Sequence, residues 1–431
     1  METWKNIWKN KTVKKELYHV CFLLLIVRIL SAIPVPGINA SYFREMIQQN
    51  SSLAFLNTMT GNSLSSMTFM ALSITPFITA SIMIQLLGVV FPKIHEMECG
   101  MEDERKLIKR ATILLGGVIA LLEAFAIATS FGKRGLLIEY RWYWVALTTV
   151  IWAAGALIAS LVGEQIQRKY HYNGSSLILL TNILVAYPPD MLTVMDIVVD
   201  KDKIARSIVT GIFLAVFILL LFGFTVFVHE TERRIPVYHS QKIQGSSMQS
   251  SIPLKLCPGT VVPIIFASSI LTFPGMIGAF LNKSGMKWLS FFNTNAWFDP
   301  QNLQYTIGAL LYIALIIAFS FYYTSIIFNP IEVAADLKKR GASVMKIRPG
   351  KETSDYLRKK SNETVGIGSI ALCLIAFVPI LVSAIWSING IAFLGTSIII
   401  TVGVVLELRA QVTAKIQGTR KQTYLFSGGL K

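Results

Sequence analysis

Apolar runs of bilayer length constrain this chain more than any other feature. Ten of them lie along its 431 residues, at 17–35, 69–91, 111–131, 142–163, 172–187, 207–229, 259–281, 303–329, 363–386 and 390–409. About 20 apolar residues in a helix cross the hydrocarbon core of a membrane. Lipid offers the backbone no hydrogen-bond partner, so a spanning segment must pair its own amides and carbonyls, as a helix does. A membrane barrel would alternate apolar and polar residues over strands of about 10 residues, and that alternation is absent. Charged residues are 15% of the chain, against about 25% in soluble proteins. The expectation is an all-α polytopic membrane protein with ten transmembrane helices.

Ten spans place both termini on one side, and Lys and Arg choose the side. With the N-terminus inside, the inner segments 1–16, 92–110, 164–171, 230–258, 330–362 and 409–431 hold 30 basic residues, and the outer segments hold 9. The positive-inside rule then puts both termini in the cytoplasm. The net charge of +16 is mostly accounted for by topology. The basic start followed by an apolar run imitates a leader peptide. That run continues into Pro34-Val35-Pro36-Gly37 and nine further spans, so it reads as a retained first helix. Cys21, Cys99, Cys257 and Cys373 show no ligand spacing, so neither a disulfide framework, a metal site nor a cofactor is expected.

The chain also repeats itself. Pro76–Ser81 reads PFITAS and Pro263–Ser268 reads PIIFAS; Gly174–Leu179 reads GSSLIL and Gly395–Ile400 reads GTSIII. Two markers in the same order in two halves are the sign of a duplicated membrane protein with its site between the repeats. Aligning the markers pairs Ile78 with Ile265 and Leu179 with Ile400. At one level around an axis between halves, four branched aliphatics would form a constriction that gates by dewetting. The same residues fit a bundle core with no pore equally well. A short apolar segment, Leu53–Met59, lies between the first two spans, too short to cross. It reads either as a re-entrant element or as a helix lying flat on the outer surface.

Charges inside the spans are few. Arg28 and Glu123 sit mid-span, and Glu164 and Glu407 lie at span ends. An ion-coupled pump would carry acidic or histidine residues in several spans, and the marker helices carry none. The pattern therefore argues against an enzyme and against an inverted-repeat secondary transporter, which is the alternative class.

Several longer motifs are specific. They are RILSAIPVPGIN (Arg28–Asn39), ITPFITASIMIQLL (Ile74–Leu87), GEQI (Gly163–Ile166), ERRI (Glu232–Ile235), IPLKL (Ile252–Leu256) with VVPIIFASSI (Val261–Ile270), FNPIEVAADLKKRGA (Phe328–Ala342), IRPGKET (Ile347–Thr353) and GTS (Gly395–Ser397). On these the chain resembles, from end to end, the SecY family, the channel subunit of the Sec protein translocase. The resemblance implies a clamshell of two five-helix halves, 1–206 and 207–431, hinged between the fifth and sixth spans. It implies a pore ring of Ile74, Ile78, Ser175, Leu179, Ile265 and Ile400. The plug it implies covers about 53–62, with Leu53, Phe55, Leu56, Asn57 and Gly61. A lateral gate is implied at Ser81, Gln85, Ser268 and Ser269. Cytosolic docking loops, about 230–258 and 330–362, would present Arg233, Arg234, Lys338, Lys339, Arg340 and Arg348 to a motor or ribosome.

The function implied is a passive protein-conducting channel. It would pass unfolded secretory proteins across the plasma membrane of a bacterium and release membrane segments sideways. The partners implied are SecE and SecG subunits, the SecA motor ATPase, the ribosome, preprotein signal sequences, membrane lipids and a second copy of the chain. This sequence departs from the family's habit at Ser175, where isoleucine is usual, and at the plug, which reads NTMTGNSLS without a double glycine. It departs again at KYHYNG before the fifth span and at Glu102-Asp103-Glu104-Arg105-Lys106. Such drift fits either an accessory copy with a narrower client set or a divergent sole copy.

Overall fold

The computed structural model describes residues 11–49, 51–198, 204–239, 249–259, 261–280, 291–292, 297, 303–344, 347–386 and 394–427. Most of the tract at 240–251, most of the loop at 282–302 and the last four residues lie outside them. Each of the ten apolar runs carries one helix. In chain order the first is α1 (Lys11–Leu30), followed by two short helices, α2 (Ala40–Gln49) and α3 (Ser51–Met59). Then come α4 (Thr75–Val90), the short α5 (Pro92–Cys99), α6 (Glu102–Phe131), α7 (Trp142–Tyr170), α8 (Gly174–Val198) and α9 (Ile204–Glu230). Strands β1 (Glu232–His239) and β2 (Gln249–Lys255) precede α10 (Val262–Phe280) and α11 (Thr306–Ile327). The chain continues through α12 (Pro330–Lys339), β3 (Ala342–Val344), α13 (Lys351–Trp386) and α14 (Leu394–Ser427).

Six of these helices are long and apolar enough to cross a bilayer. Thr75–Gly88, Gly174–Pro189 and Val262–Gly275 are apolar but shorter, at 10–17 residues. α1 begins on Lys11, Lys14, Lys15 and Glu16, which lower its mean hydropathy. The three short stretches are the helices that carry the repeat markers. Their flanks are Ser, Thr, Gly and Pro, not more Leu. A segment shorter than the membrane is tolerated where protein or a cavity, not lipid, surrounds its ends.

The chain divides into two compact units. One comprises Met1–Leu192, Thr272–Asn293 and Val404–Lys431; the other comprises Thr193–Leu271 and Thr294–Gly403. The core of the first is built around Phe43, Leu53, Met70, Ala124, Phe131 and Trp152, all buried. Gly155 on α7 admits no side chain, because a Cβ there would strike the carbonyl oxygen of Phe69. α7 therefore packs directly on the irregular backbone between α3 and α4. At the cytoplasmic end of the same unit, Lys415 on α14 pairs with Glu16 on α1 at 2.7 Å.

In the second unit the two loops read as docking segments form one small antiparallel sheet of order β2-β1-β3. Ile235 pairs opposite Ile252, and Val237 opposite Val344. Beneath it Ile235, Val237, Leu254, Val344 and Leu357 make a separate apolar core. Loops some hundred residues apart in sequence thus share one rigid base.

Candidate functional site

Four marker segments were expected to carry the site, and each has the same local construction in both repeats. Pro76 and Pro263 lie in the first turn of α4 and α10, where the missing N–H of proline costs no helical bond. One turn on, Ala80 and Ala267 are fully buried. The marker glycines open α8 and α14. A Cβ at Gly174 would land on the carbonyl oxygen of Gly163 in α7, and one at Gly395 on that of Ile375 in α13. In each repeat, then, the marker glycine is where two consecutive long helices touch backbone to backbone. This accounts physically for the Gly of GEQI as well as the Gly of both second markers.

The ring candidates differ in exposure. Ile74 is the N-cap residue of α4 and is buried, with Leu179 on α8. Ile78 is half-buried and Ser175, in the first turn of α8, is exposed. In the second unit Ile400 is fully buried and Ile265 half-buried. Of the gate candidates, Gln85 donates to Ser81 one turn back at 3.3 Å. Ser268 lies 3.2 Å from the Tyr312 hydroxyl on α11, and Ser269 is half-buried.

The short apolar segment is a helix, α3, and it packs into the first unit. Leu53, Phe55, Met59 and Gly61 are buried; Leu56 and Asn57 are half-buried. The chain after it is folded by its own polar side chains. Asn57 donates to Asn62 at 2.7 Å and accepts from the Ser65 amide at 2.8 Å.

A residue that sequence reasoning passed over anchors this segment. Asn182, fully buried on α8, donates to the Met59 carbonyl at 3.0 Å and to Ser73 at 2.9 Å. Its own side-chain oxygen accepts from Arg28 on α1 at 3.2 Å. The arginine within the first span therefore fastens three elements together. The available signal was a lone Asn in the run Leu177–Val185.

Gly61 completes the arrangement at φ +66°. A Cβ there would come within 2.7 Å of Arg28 Nη1 and 2.9 Å of the Asn182 backbone. Left-handed backbone alone costs alanine about 1–2 kcal/mol, and displacing Arg28 adds to this. Gly61→Ala is therefore expected to lose about 2 kcal/mol or more of stability. Thermal unfolding in detergent reads this; a melting temperature equal to the parent's would mean the segment shifts without strain.

Other intramembrane charges do not form a relay. Glu164 is ion-paired with Arg168 at 2.9 Å and Lys109 at 3.5 Å. Glu123 on α6 has no hydrogen bond or ion pair among the described residues. Among those residues no three His, Cys, Asp or Glu side chains converge where a metal ion could bind.

With this geometry in hand, comparison with known proteins decides the family. The SecY family model matches residues 68–409. The chain belongs to the SecY family. It is 32% identical over 432 residues to the protein translocase subunit SecY of Escherichia coli strain K12, covering 97% of this chain and 95% of the relative. It is 31% identical over 418 residues to that of Streptococcus gordonii strain Challis, covering 94% and 93%. A solved structure of a protein-conducting channel superposes with a TM-score of 0.63 at 17% identity, covering 92% of this chain and 90% of that one. That likeness supports the all-α polytopic fold.

The cytosolic sheet of this SecY-family chain sorts its docking candidates by pairing. Arg233 is bound to Glu363 at 3.2 Å, Arg234 to Glu232 at 2.7 Å and Arg340 to Asp336 at 2.8 Å. Lys338, Lys339 and Arg348 are exposed and have no partner among the described residues. Arg348 is also the best positioned. Its carbonyl accepts from the Thr353 hydroxyl at 2.8 Å, and Gly350 turns the chain at φ +114°.

Proposed function

We propose that this chain is the central protein-conducting channel of a membrane translocase and does no chemistry of its own. SecY-family membership across residues 68–409 carries this reading. The duplicated marker helices support it, since their apolar residues grip no substrate in particular. Ile74, Ile78, Ser175, Leu179, Ile265 and Ile400 act as the apolar ring, which seals against ions by dewetting while closed. α3 and the turn after it, from Leu53 to about Asn62, act as the plug. The two five-helix halves, 1–206 and 207–431, part along α4 and α10, where Ser81, Gln85, Ser268 and Ser269 face the exit of signal sequences into lipid. Small residues at such a seam suit helices that separate and close again.

Driving force comes from outside the chain. The docking candidates at the cytosolic sheet bind the SecA motor or the ribosome, and SecE and SecG complete the channel. The charge asymmetry of the loops supports a bacterial plasma-membrane protein with both termini in the cytoplasm.

The ring is tested at Ile400. Asparagine there hydrates the constriction, so Ile400→Asn is expected to pass a reporter with a defective signal sequence that the parent rejects. Ser175→Ile is expected to do the reverse and tighten selection. Reporter export identical across parent, Ile400→Asn and Ser175→Ile would remove the ring assignment.

A further inference from the structure

A cavity of about 710 Å³ in the second unit lies outside every site described above. Three helices wall it, each with a helical stripe. α11 and the turn after it contribute Phe321, Thr324, Ser325 and Phe328. α12 contributes Ile331, Ala334, Ala335 and Lys338. α13 contributes Lys351, Ser354, Asp355, Arg358, Ser361 and Asn362.

The lining is graded. The apolar span of α11 ends at Ile327, and the apolar run of α13 begins near Val365. The deep end of the cavity is therefore near Phe321, which approaches Gly366 of α13. Hydroxyl and amide groups, Ser361 and Asn362, come next. Arg358, Lys351 and Lys338 lie furthest toward the cytoplasm. None of these three cations has an ion-pair partner among the described residues, and only Asp355 opposes them within the cavity. At the mouth Ile331 is 69% exposed on a helix that lies beyond the span.

This gradient fits one class of molecule. A cytoplasmic-leaflet phospholipid has acyl chains, then glycerol esters, then an anionic phosphate, in that order and direction. A protein helix or a soluble phosphate would not require apolar, hydroxyl-bearing and cationic walls stacked along the membrane normal. We propose that this cavity is a binding site for an anionic phospholipid. Its phosphate sits among Lys338, Lys351 and Arg358, its esters meet Ser361 and Asn362, and an acyl chain lies against Phe321 and Phe328. Each basic group near the surface contributes to such attraction, and together the three account for about a hundredfold in affinity.

The full chain, purified with its partner subunits, is tested by native mass spectrometry with phosphatidylglycerol and with phosphatidylcholine. Retention of phosphatidylglycerol over phosphatidylcholine is expected. The variant Lys338→Gln/Lys351→Gln/Arg358→Gln is expected to lose about a hundredfold in phosphatidylglycerol affinity. Lys339→Gln/Lys359→Gln, which removes two neighbouring cations outside the cavity, is expected to stay within about twofold. Independently of any variant, a photoactivatable phosphatidylglycerol is expected to label peptides spanning 321–331 and 351–362. Equal losses in the two variants would reduce the effect to bulk charge and overturn the site. Displacement of the lipid by soluble glycerol phosphate would mark a free-anion site instead. Labelling confined to other peptides, or a partner subunit protecting these, would likewise overturn it.

Discussion

Arg348→Glu is expected to abolish motor-driven export while leaving the channel folded and inserted. The expectation rests on how this arginine is held. Val344 ends β3 and accepts from the Ile347 amide at 3.2 Å, which ties the turn to the sheet. On the other side Thr353, buried in the first turn of α13, holds the Arg348 carbonyl, and the Ser354 amide closes on Gly350 at 3.1 Å. Pro349 between them limits φ. The guanidinium therefore projects from a fixed base, exposed and unpaired among the described residues. Its planar fork can grip a carboxylate or phosphate at two points, which lysine cannot copy. Glutamate at this position repels the same acidic partner.

Three comparisons separate this from bulk charge. Arg348→Lys is expected to recover only part of the activity. Thr353→Val, which leaves the charge but frees the turn, is expected to fall between parent and Arg348→Glu. Lys359→Glu, on the exposed surface of α13, is expected to matter little. The readout is motor ATPase stimulated by channel and preprotein, alongside translocation of one substrate. Full stimulation with Arg348→Glu would sink the idea, and equal damage from Lys359→Glu would leave only the net charge of the loop.

The parts of the fold that were legible in the sequence are those fixed by local pattern. An apolar run of bilayer length has one stable form in lipid, so ten runs gave ten helices. The marker glycines were legible as repeats, although their cause, backbone contact at Gly163 and Ile375, needs the packing. The cytosolic sheet was not legible. Pro236 sits in β1, the central strand, where proline normally argues against a strand. β3 pairs only with Val237–His239, so at Pro236 that side of β1 is an edge and the missing N–H costs no ladder bond. The span arginine raised a question that the sequence could not answer, because Asn182 is 154 positions away. Nothing local distinguishes a polar amide that binds three distant elements from one that merely tolerates lipid.

Asn182→Leu is expected to be among the most damaging single substitutions in the first unit. Leucine matches asparagine roughly in size but makes none of its bonds. The Met59 carbonyl, the Ser73 hydroxyl and the Arg28 guanidinium would each lose a partner in a buried or half-buried setting. A buried polar group left unpaired costs about 1–3 kcal/mol, and more when charged. Arg28 is only half-buried and recovers some solvation, so the total expected is about 3–5 kcal/mol. The loss falls on α3, whose last turn ends at Met59. If this helix plugs the channel, Asn182→Leu raises ion leak through proteoliposomes while preprotein export continues. The double variant Arg28→Leu/Asn182→Leu removes the orphaned charge along with its partner. It is expected to be more stable than Asn182→Leu alone, a sign of coupling that independent contributions cannot produce. Melting temperature and leak are measured on the same four proteins of the cycle. Additive losses would mean that Arg28 finds its solvation elsewhere. A destabilised Asn182→Leu channel with the leak of the parent would detach α3 from the seal.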